Sequence, residues 1–82
     1  MPVDEFIWID WNLAKIDAHS LDTEEVEHAW RNGRVIRKDV DPDNGPYSIS
    51  AGRCPSGRPI RIVWRYDVDR DGVPKVFVIT AY

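Results

Sequence analysis

Apolar and polar residues follow two different periods along this chain, and the change falls at Gly33. Before it the spacing suits helices. Trp11 to about His19 consists of good helix formers, with Leu13 and Ile16, and Ala14 and Ala18, as a narrow apolar stripe, and Asp10 stands where a cap belongs. A second helix is signalled at both ends. Asp22 is a favoured N-cap, Glu25 three residues later completes a capping box, and Leu21 with Val26 fills the staple positions. Asn32-Gly33 stops the pattern as a C-terminal cap should. These features predict a helix over Thr23 to Arg31 that buries Val26, Ala29 and Trp30. Phe6-Ile7-Trp8-Ile9 is too short for a helix and reads as a strand or an extended lead-in.

After Gly33, β-branched and aromatic runs alternate with turn clusters, the mark of a meander of hairpins. Four strands are expected: Val35 to Val40, Tyr47 to Arg53, Arg58 to Tyr66 and Val76 to Ala81. The breaks are Asp41-Pro42-Asp43-Asn44-Gly45, Pro55-Ser56-Gly57 and Asp69-Arg70-Asp71-Gly72. In the third strand Ile60, Ile62, Trp64 and Tyr66 share one face, and Arg61, Val63 and Arg65 share the other. The expected fold is α+β, with two N-terminal helices packed on a four-stranded antiparallel sheet whose Arg61 and Arg65 point outward.

A length of 82 residues allows one domain, spanning 1–82, and one core. Hydrophobic content of 43% excludes a disordered chain. No apolar run approaches the ~20 residues that cross a bilayer. Met1-Pro2-Val3-Asp4-Glu5 is acidic where a secretory signal is basic, so a cytoplasmic protein without a membrane partner is expected. The lone Cys54 has no internal disulfide partner and, beside Pro55-Ser56-Gly57, reads as a free thiol near the surface rather than a nucleophile.

The formal net charge of −3 argues against phosphate binding until its distribution is seen. Residues 1–30 carry eight acids and only Lys15, a net of −7, whereas residues 31–82 carry ten of the eleven basic residues and six acids, a net of +4. Such a bipolar chain can offer an acidic face to one partner and a basic face to another, or bring two attracting halves together.

Most catalytic constellations are missing from the sequence. Asp67-Val68-Asp69-Arg70-Asp71-Gly72 opens like a calcium loop, but Val78 stands where its bidentate Glu belongs and Pro74 intrudes, so a hairpin turn is expected. Asp39 to Gly45 reads the same way. His19 and His28 have no companions at zinc spacing, and no metal or cofactor is expected. His28 belongs on an exposed helix side, and His19 suits the end of the first helix. No nucleophile elbow or phosphate-cradling glycine loop is present. The arginines remain. Arg53, Arg58, Arg61 and Arg65 lie on neighbouring strands and around their hairpin, with Arg37 and Lys38 on the strand before and Lys75 on the strand after. Guanidinium groups clamp phosphates bidentately, and Trp64, Tyr66, Tyr47 and Tyr82 either stack unpaired bases or pack the core.

Taken in order, several features resemble the BrnT family. They are Phe6-x-Trp8, Asp10, Lys15, His19, the Glu24-Glu25-Val26-Glu27 helix, the Asp-Pro turn, Gly52 followed by Gly57-Arg58, and the closing Val78-Ile79-Thr80-Ala81. BrnT proteins are similar to the RelE-type toxins, compact α+β ribonucleases of bacterial type II toxin–antitoxin systems. The resemblance therefore implies a RelE-like fold, RNA cleavage without a metal, RNA or the ribosome as target, and a small DNA-binding antitoxin as partner. It also implies that Arg58, from the Gly-Arg motif, and Arg53 hold the scissile phosphate. Arg37, Lys38, Arg61, Arg65 and Lys75 would follow the RNA backbone, while Tyr82, His19 or a Glu of the second helix would move protons. BrnT-like chains commonly continue past the last strand with an Arg and a helix, where this sequence has Tyr82 and stops. That departure motivates the alternative, a non-catalytic protein-interaction module of the same fold.

Overall fold

The computed structural model describes residues 5–68 and 70–82. The first four residues, read above as unlike a signal peptide, and Asp69 of the calcium-loop-like motif lie outside the described residues. The chain runs β1 (Phe6–Ile7), α1 (Asp10–Asp17), α2 (Thr23–Asn32), β2 (Arg34–Asp41), β3 (Gly45–Arg53), β4 (Pro59–Val68) and β5 (Pro74–Ala81).

The fold is α+β, but the expected four-stranded antiparallel, RelE-like sheet is corrected. Among the described residues the sheet has five strands in the order β1-β5-β4-β3-β2 and is mixed, because β1 pairs parallel to β5 with Phe6 opposite Val76 and Ile7 opposite Phe77. Periodicity could not reveal this. A two-residue strand has no period, and its partner arrives only after both helices and the whole meander.

What holds β1 in place is a buried polar side chain. Asn12, wholly inaccessible to solvent, donates from Nδ2 to the carbonyls of Ile7 (2.8 Å) and Val78 (3.0 Å) and accepts from the Ile9 N–H (2.7 Å). It satisfies backbone groups where the short parallel ladder ends, which is the condition for burying an amide at all. Asp10 is accordingly not the cap expected from the sequence: Ile9 occupies the N-cap, and Asp10 is the first helical residue, where its charge suits the helix dipole.

α2 begins as its sequence demands. The Asp22 carboxylate accepts the Glu25 N–H (2.8 Å), and the Glu25 carboxylate accepts the Asp22 N–H (3.2 Å). Leu21 and Val26 are buried beside it as the staple. Both helices contribute to one core, in which Ile16, Leu21, Val26 and Ala29 meet Ile60, Ile62, Trp64, Val76 and Val78 of the sheet. α2 lies so close to β3 that a methyl group at Gly52 would overlap the Ala29 carbonyl. Gly33 is needed for the same reason and not for left-handed geometry, since its φ is −88° and a methyl there would overlap the Ala51 carbonyl. Aromatic rings run along one side of this core: Phe6, Trp30, Trp64 and Tyr66 meet edge to face in succession. Trp64 is core, its Nε1 donating to Ser50 Oγ at 2.8 Å. Among the described residues no helix is long and apolar enough to cross a membrane.

Candidate functional site

The sheet face away from the core collects arginines. On β4 simple alternation brings Arg61, Val63 and Arg65 there, opposite the buried Ile60, Ile62 and Trp64. On β2 the register slips between Val35 and Arg37, so that Arg34 pairs with Ala51 and Arg37 with Ile49. Ala51 and Ile49 share a face, so Arg34 and Arg37 do too; without the bulge at Ile36, residues three apart would point to opposite sides. Arg53 lies on this face by the same alternation along β3.

Ala51 is the centre of the arrangement. It is the partner of Arg34 on one side and of Arg61 on the other. Two strand spacings put the Cα atoms of these arginines about 10 Å apart, with only a methyl group between them. Arg34, Arg53, Arg61 and Tyr82 line an open basin of about 710 Å³ at this end of the sheet. Asn32 sets the place of Arg53: its Nδ2 donates to the Arg53 carbonyl (2.9 Å) and its Oδ1 accepts the Arg53 N–H (3.2 Å). The Arg53 guanidinium reaches the Gly57 carbonyl at 3.1 Å. Tyr82 exchanges both backbone hydrogen bonds with Arg61, and its ring lies 6.2 Å from the His19 imidazole. A cationic surface able to hold a phosphate thus adjoins two side chains that can carry a proton.

Arg58 is placed differently from the sequence expectation. Its guanidinium donates to the carbonyls of His19 (3.0 Å) and Ser20 (3.3 Å), in the turn that follows α1. It does not line the basin. Here it acts as a cation satisfying orphan carbonyls beyond a helix C-terminus, the role the sequence had suggested for His19. His19 itself lies two residues beyond α1, its N–H bonded to the Ile16 carbonyl.

The remaining arginines and lysines are spread out. Arg37 forms an exposed ion pair with Asp39 at 2.8 Å. Lys38 lies on the opposite face of β2, paired with Ser48. Arg65 sits 4.8 Å over the Phe77 ring and 3.8 Å from Asp67. Lys75 is at the far end of β5, ion-paired with Glu5 at 3.3 Å and with Asp71 at 3.9 Å, and so stands apart from the basin. Of the aromatics weighed for stacking, Trp64 is buried and Tyr66 is exposed on the helix side, while Tyr47 lies on the open face. Trp11 was missed: from the first turn of α1 it stacks on Phe77, with centroids 6.1 Å apart and planes at 18°. With Tyr47, Arg65 and Asp41 these two rings line a second concavity, of about 450 Å³, on the same face. Arg34 was missed as well, although its place directly after the helix-ending Gly33 was visible.

Perturbed acidity marks Cys54, Asp39 and Asp41. Cys54 is buried, contrary to the surface position expected, and burial pushes its thiol pKa up, aided by the nearby Glu25 carboxylate. That disqualifies it as a nucleophile. Asp39 is held below the usual carboxylate range by the Val40 N–H and by Arg37. Asp41 is lowered by hydrogen bonds from the Asp43 and Asn44 backbone N–H groups, which explains the acidic turn as a self-bonded Asx turn. Among the described residues no group of three His, Cys, Asp or Glu side chains gathers to hold a metal.

Fold and site together define a small α+β domain that presents cations and aromatic rings on one open sheet face. The chain belongs to the family described as Domain of unknown function (DUF4258), whose model matches residues 13–82. That span takes in α2, the whole meander and every arginine of the basin, and leaves out β1, Trp11 and Asn12. No curated protein and no solved structure matches the chain.

Proposed function

We propose that this protein is a BrnT-like ribonuclease toxin of a type II toxin–antitoxin pair, acting in the cytoplasm. It cleaves RNA by attack of a 2′-OH on the adjacent phosphate, which closes a 2′,3′-cyclic phosphate as the bond to the 5′ oxygen breaks and that oxygen leaves, protonated, as a 5′-hydroxyl. The observation that carries this reading is the convergence, around Ala51, of Arg34, Arg53 and Arg61 with Tyr82 and its neighbour His19. Such a reaction needs charge stabilisation at a pentacoordinate phosphorus, removal of one proton and delivery of another. The three guanidinium groups supply the first, and the Tyr82 hydroxyl and His19 imidazole supply the proton transfers. Arg37 and Arg65, on the same face, follow the RNA backbone. The partners on this reading are RNA, free or on the ribosome, and a small DNA-binding antitoxin that covers the toxin.

Regulated expression in a bacterium, with growth followed while new RNA 5′ ends are mapped, tests the proposal. Arrest with discrete new ends is expected, lost in Arg61→Ala and in Tyr82→Phe while both variants stay folded. Normal growth and unchanged RNA from a soluble, folded protein would refute it.

A second reading, a non-catalytic protein-interaction module, is favoured by one surface. Val35, Val40 and Tyr66 are 43%, 65% and 55% exposed and line one shallow groove along β2 and β4, beyond the cover of α2. Exposed apolar groups gathered in this way mark a protein contact. On this reading a co-expressed neighbouring protein binds tightly and no RNA is cut.

A further inference from the structure

The 450 Å³ concavity on the open face has a composition that plain packing does not need. A single exposed tryptophan is ordinary on a protein surface. Trp11, however, is 48% exposed while stacked on Phe77, with the exposed Lys15 ammonium 5.3 Å over its ring as the group an incoming base would displace, and it shares its concavity with Tyr47, the Arg65 guanidinium and the Asp41 carboxylate. The floor is apolar, made by Ile49, Val63 and Ile79. The volume falls within the range of small-molecule sites, ~300–1,000 Å³. An apolar floor, aromatic walls, one guanidinium and one carboxylate form the set that receives a flat heterocycle with a polar edge.

We infer that this concavity takes one unpaired guanine base of RNA, stacked against Trp11 and Tyr47, with its Watson–Crick edge on the Asp41 carboxylate. The choice of base follows from hydrogen-bond chemistry. A carboxylate offers only acceptors. Guanine presents two adjacent donors, N1–H and the N2 amino group, whereas adenine, cytosine and uracil each set an acceptor beside their donor. The two backbone N–H groups that bind Asp41 both land on Oδ1, and the Asn44 side chain also bonds the carboxylate, so the two guanine donors would converge on Oδ2, with the exposed Asn44 side chain giving way to them. Those same bonds hold its acidity below the usual carboxylate range and keep it ionised at neutral pH. Arg65, over the Phe77 ring, supplies donors for the guanine O6 or the flanking phosphate.

Position supports the assignment. Ile49 in the floor is two residues along β3 from Ala51 in the basin, a step of about 7 Å. A strand of RNA with its phosphate between Arg34 and Arg61 would lay a neighbouring base over this floor. The inference rests on the reading of this face as RNA-binding, but it can be tested with no cleavage involved.

The folded chain is titrated with 3′-GMP, 3′-AMP, 3′-CMP and 3′-UMP, and with the RNAs UUGUU and UUAUU, following the backbone amide resonances of Ile49 and Val63 in every variant and the Trp11 indole N–H where it is present. Saturable binding is expected for 3′-GMP and UUGUU, with the guanine form tighter than its competitors by about tenfold, the low end of what one base-edge contact contributes. UUGUU should bind more tightly than 3′-GMP. Trp11→Ala should weaken binding by about tenfold, the worth of one stacked base. Asp41→Asn keeps an Oδ1 for the turn and should erase the guanine preference without lowering the melting temperature. Equal binding of all four nucleotides, or no binding, overturns the inference. If 3′-GMP binds as tightly as UUGUU, the assignment to RNA is overturned. Guanine-selective binding without RNA cleavage would refute the ribonuclease and leave the pocket standing; cleavage indifferent to the base would do the reverse.

Discussion

Replacing Arg58 with alanine separates a structural role from a phosphate-binding one. In the wild-type protein the Arg58 guanidinium bonds the His19 and Ser20 carbonyls at 3.0 and 3.3 Å, and so ties the start of β4 to the turn after α1. A hydrogen bond to a charged group is worth ~1.5–3 kcal/mol when shielded. Arg58 is exposed, so water replaces part of each bond, and the two together should contribute about 1–2 kcal/mol. For a domain of this size that lowers the melting temperature by roughly 4–8 °C per kcal/mol. Arg58→Lys keeps the charge but has no planar fork to span two carbonyls, and should recover less than half of the loss. Thermal and urea unfolding followed by circular dichroism measure this, with the urea midpoint falling and the m-value unchanged. Activity of Arg58→Ala, measured well below its own melting temperature, should stay near the parent's. An unshifted melting temperature together with lost activity would refute the clamp and return Arg58 to the phosphate.

Three further outcomes follow from the fold. Asn12→Ala removes three hydrogen bonds of a fully buried side chain, one of them buried and two partly so, and urea unfolding should show a loss of about 2–3 kcal/mol; a loss under about 1 kcal/mol would mean that β1 is held by something else. Gly52→Ala forces a methyl group into the Ala29 carbonyl and should cost about 3 kcal/mol or more, or prevent folding, whereas a protein of unchanged stability would contradict the close approach of α2 to β3. Cys54 should resist alkylation at pH 8 until the protein is unfolded by urea. Because its folded pKa is raised, its contribution to stability is intact below the unfolded-chain value of about 8.5 and is lost as pH rises beyond it. Cys54→Ala should flatten that alkaline decline, and rapid alkylation of the folded protein would show the thiol to be exposed.

Much of this protein was legible as sequence wherever the physics is local. The Asp22 and Glu25 capping box, the staple of Leu21 on Val26 and the alternation of Ile60, Ile62 and Trp64 against Arg61 and Arg65 depend on neighbours within a few residues, and each appears in the structure as its pattern required. The concentration of positive charge after Gly33 was equally visible. Tertiary structure alone decided the rest, because it depends on contacts between distant segments. The parallel pairing of β1 with β5 joins residues 70 positions apart, and Asn12, unremarkable within a helix, becomes its pin only when Val78 arrives beside it. One extra residue at Ile36 turns Arg34 onto the face of Arg37 and Arg61, which strict alternation would deny. The turn after α1 claims Arg58 through the His19 and Ser20 carbonyls, and it thereby removes from the basin the arginine the motif had favoured. Local periodicity therefore determined α2, the four strands of the meander and the buried face of β4 as far as Trp64, but not the burial of Asn12 and Cys54 or the exposure of Leu13 and Tyr66. The bulge, the parallel edge and the long-range hydrogen bonds decided which arginines meet.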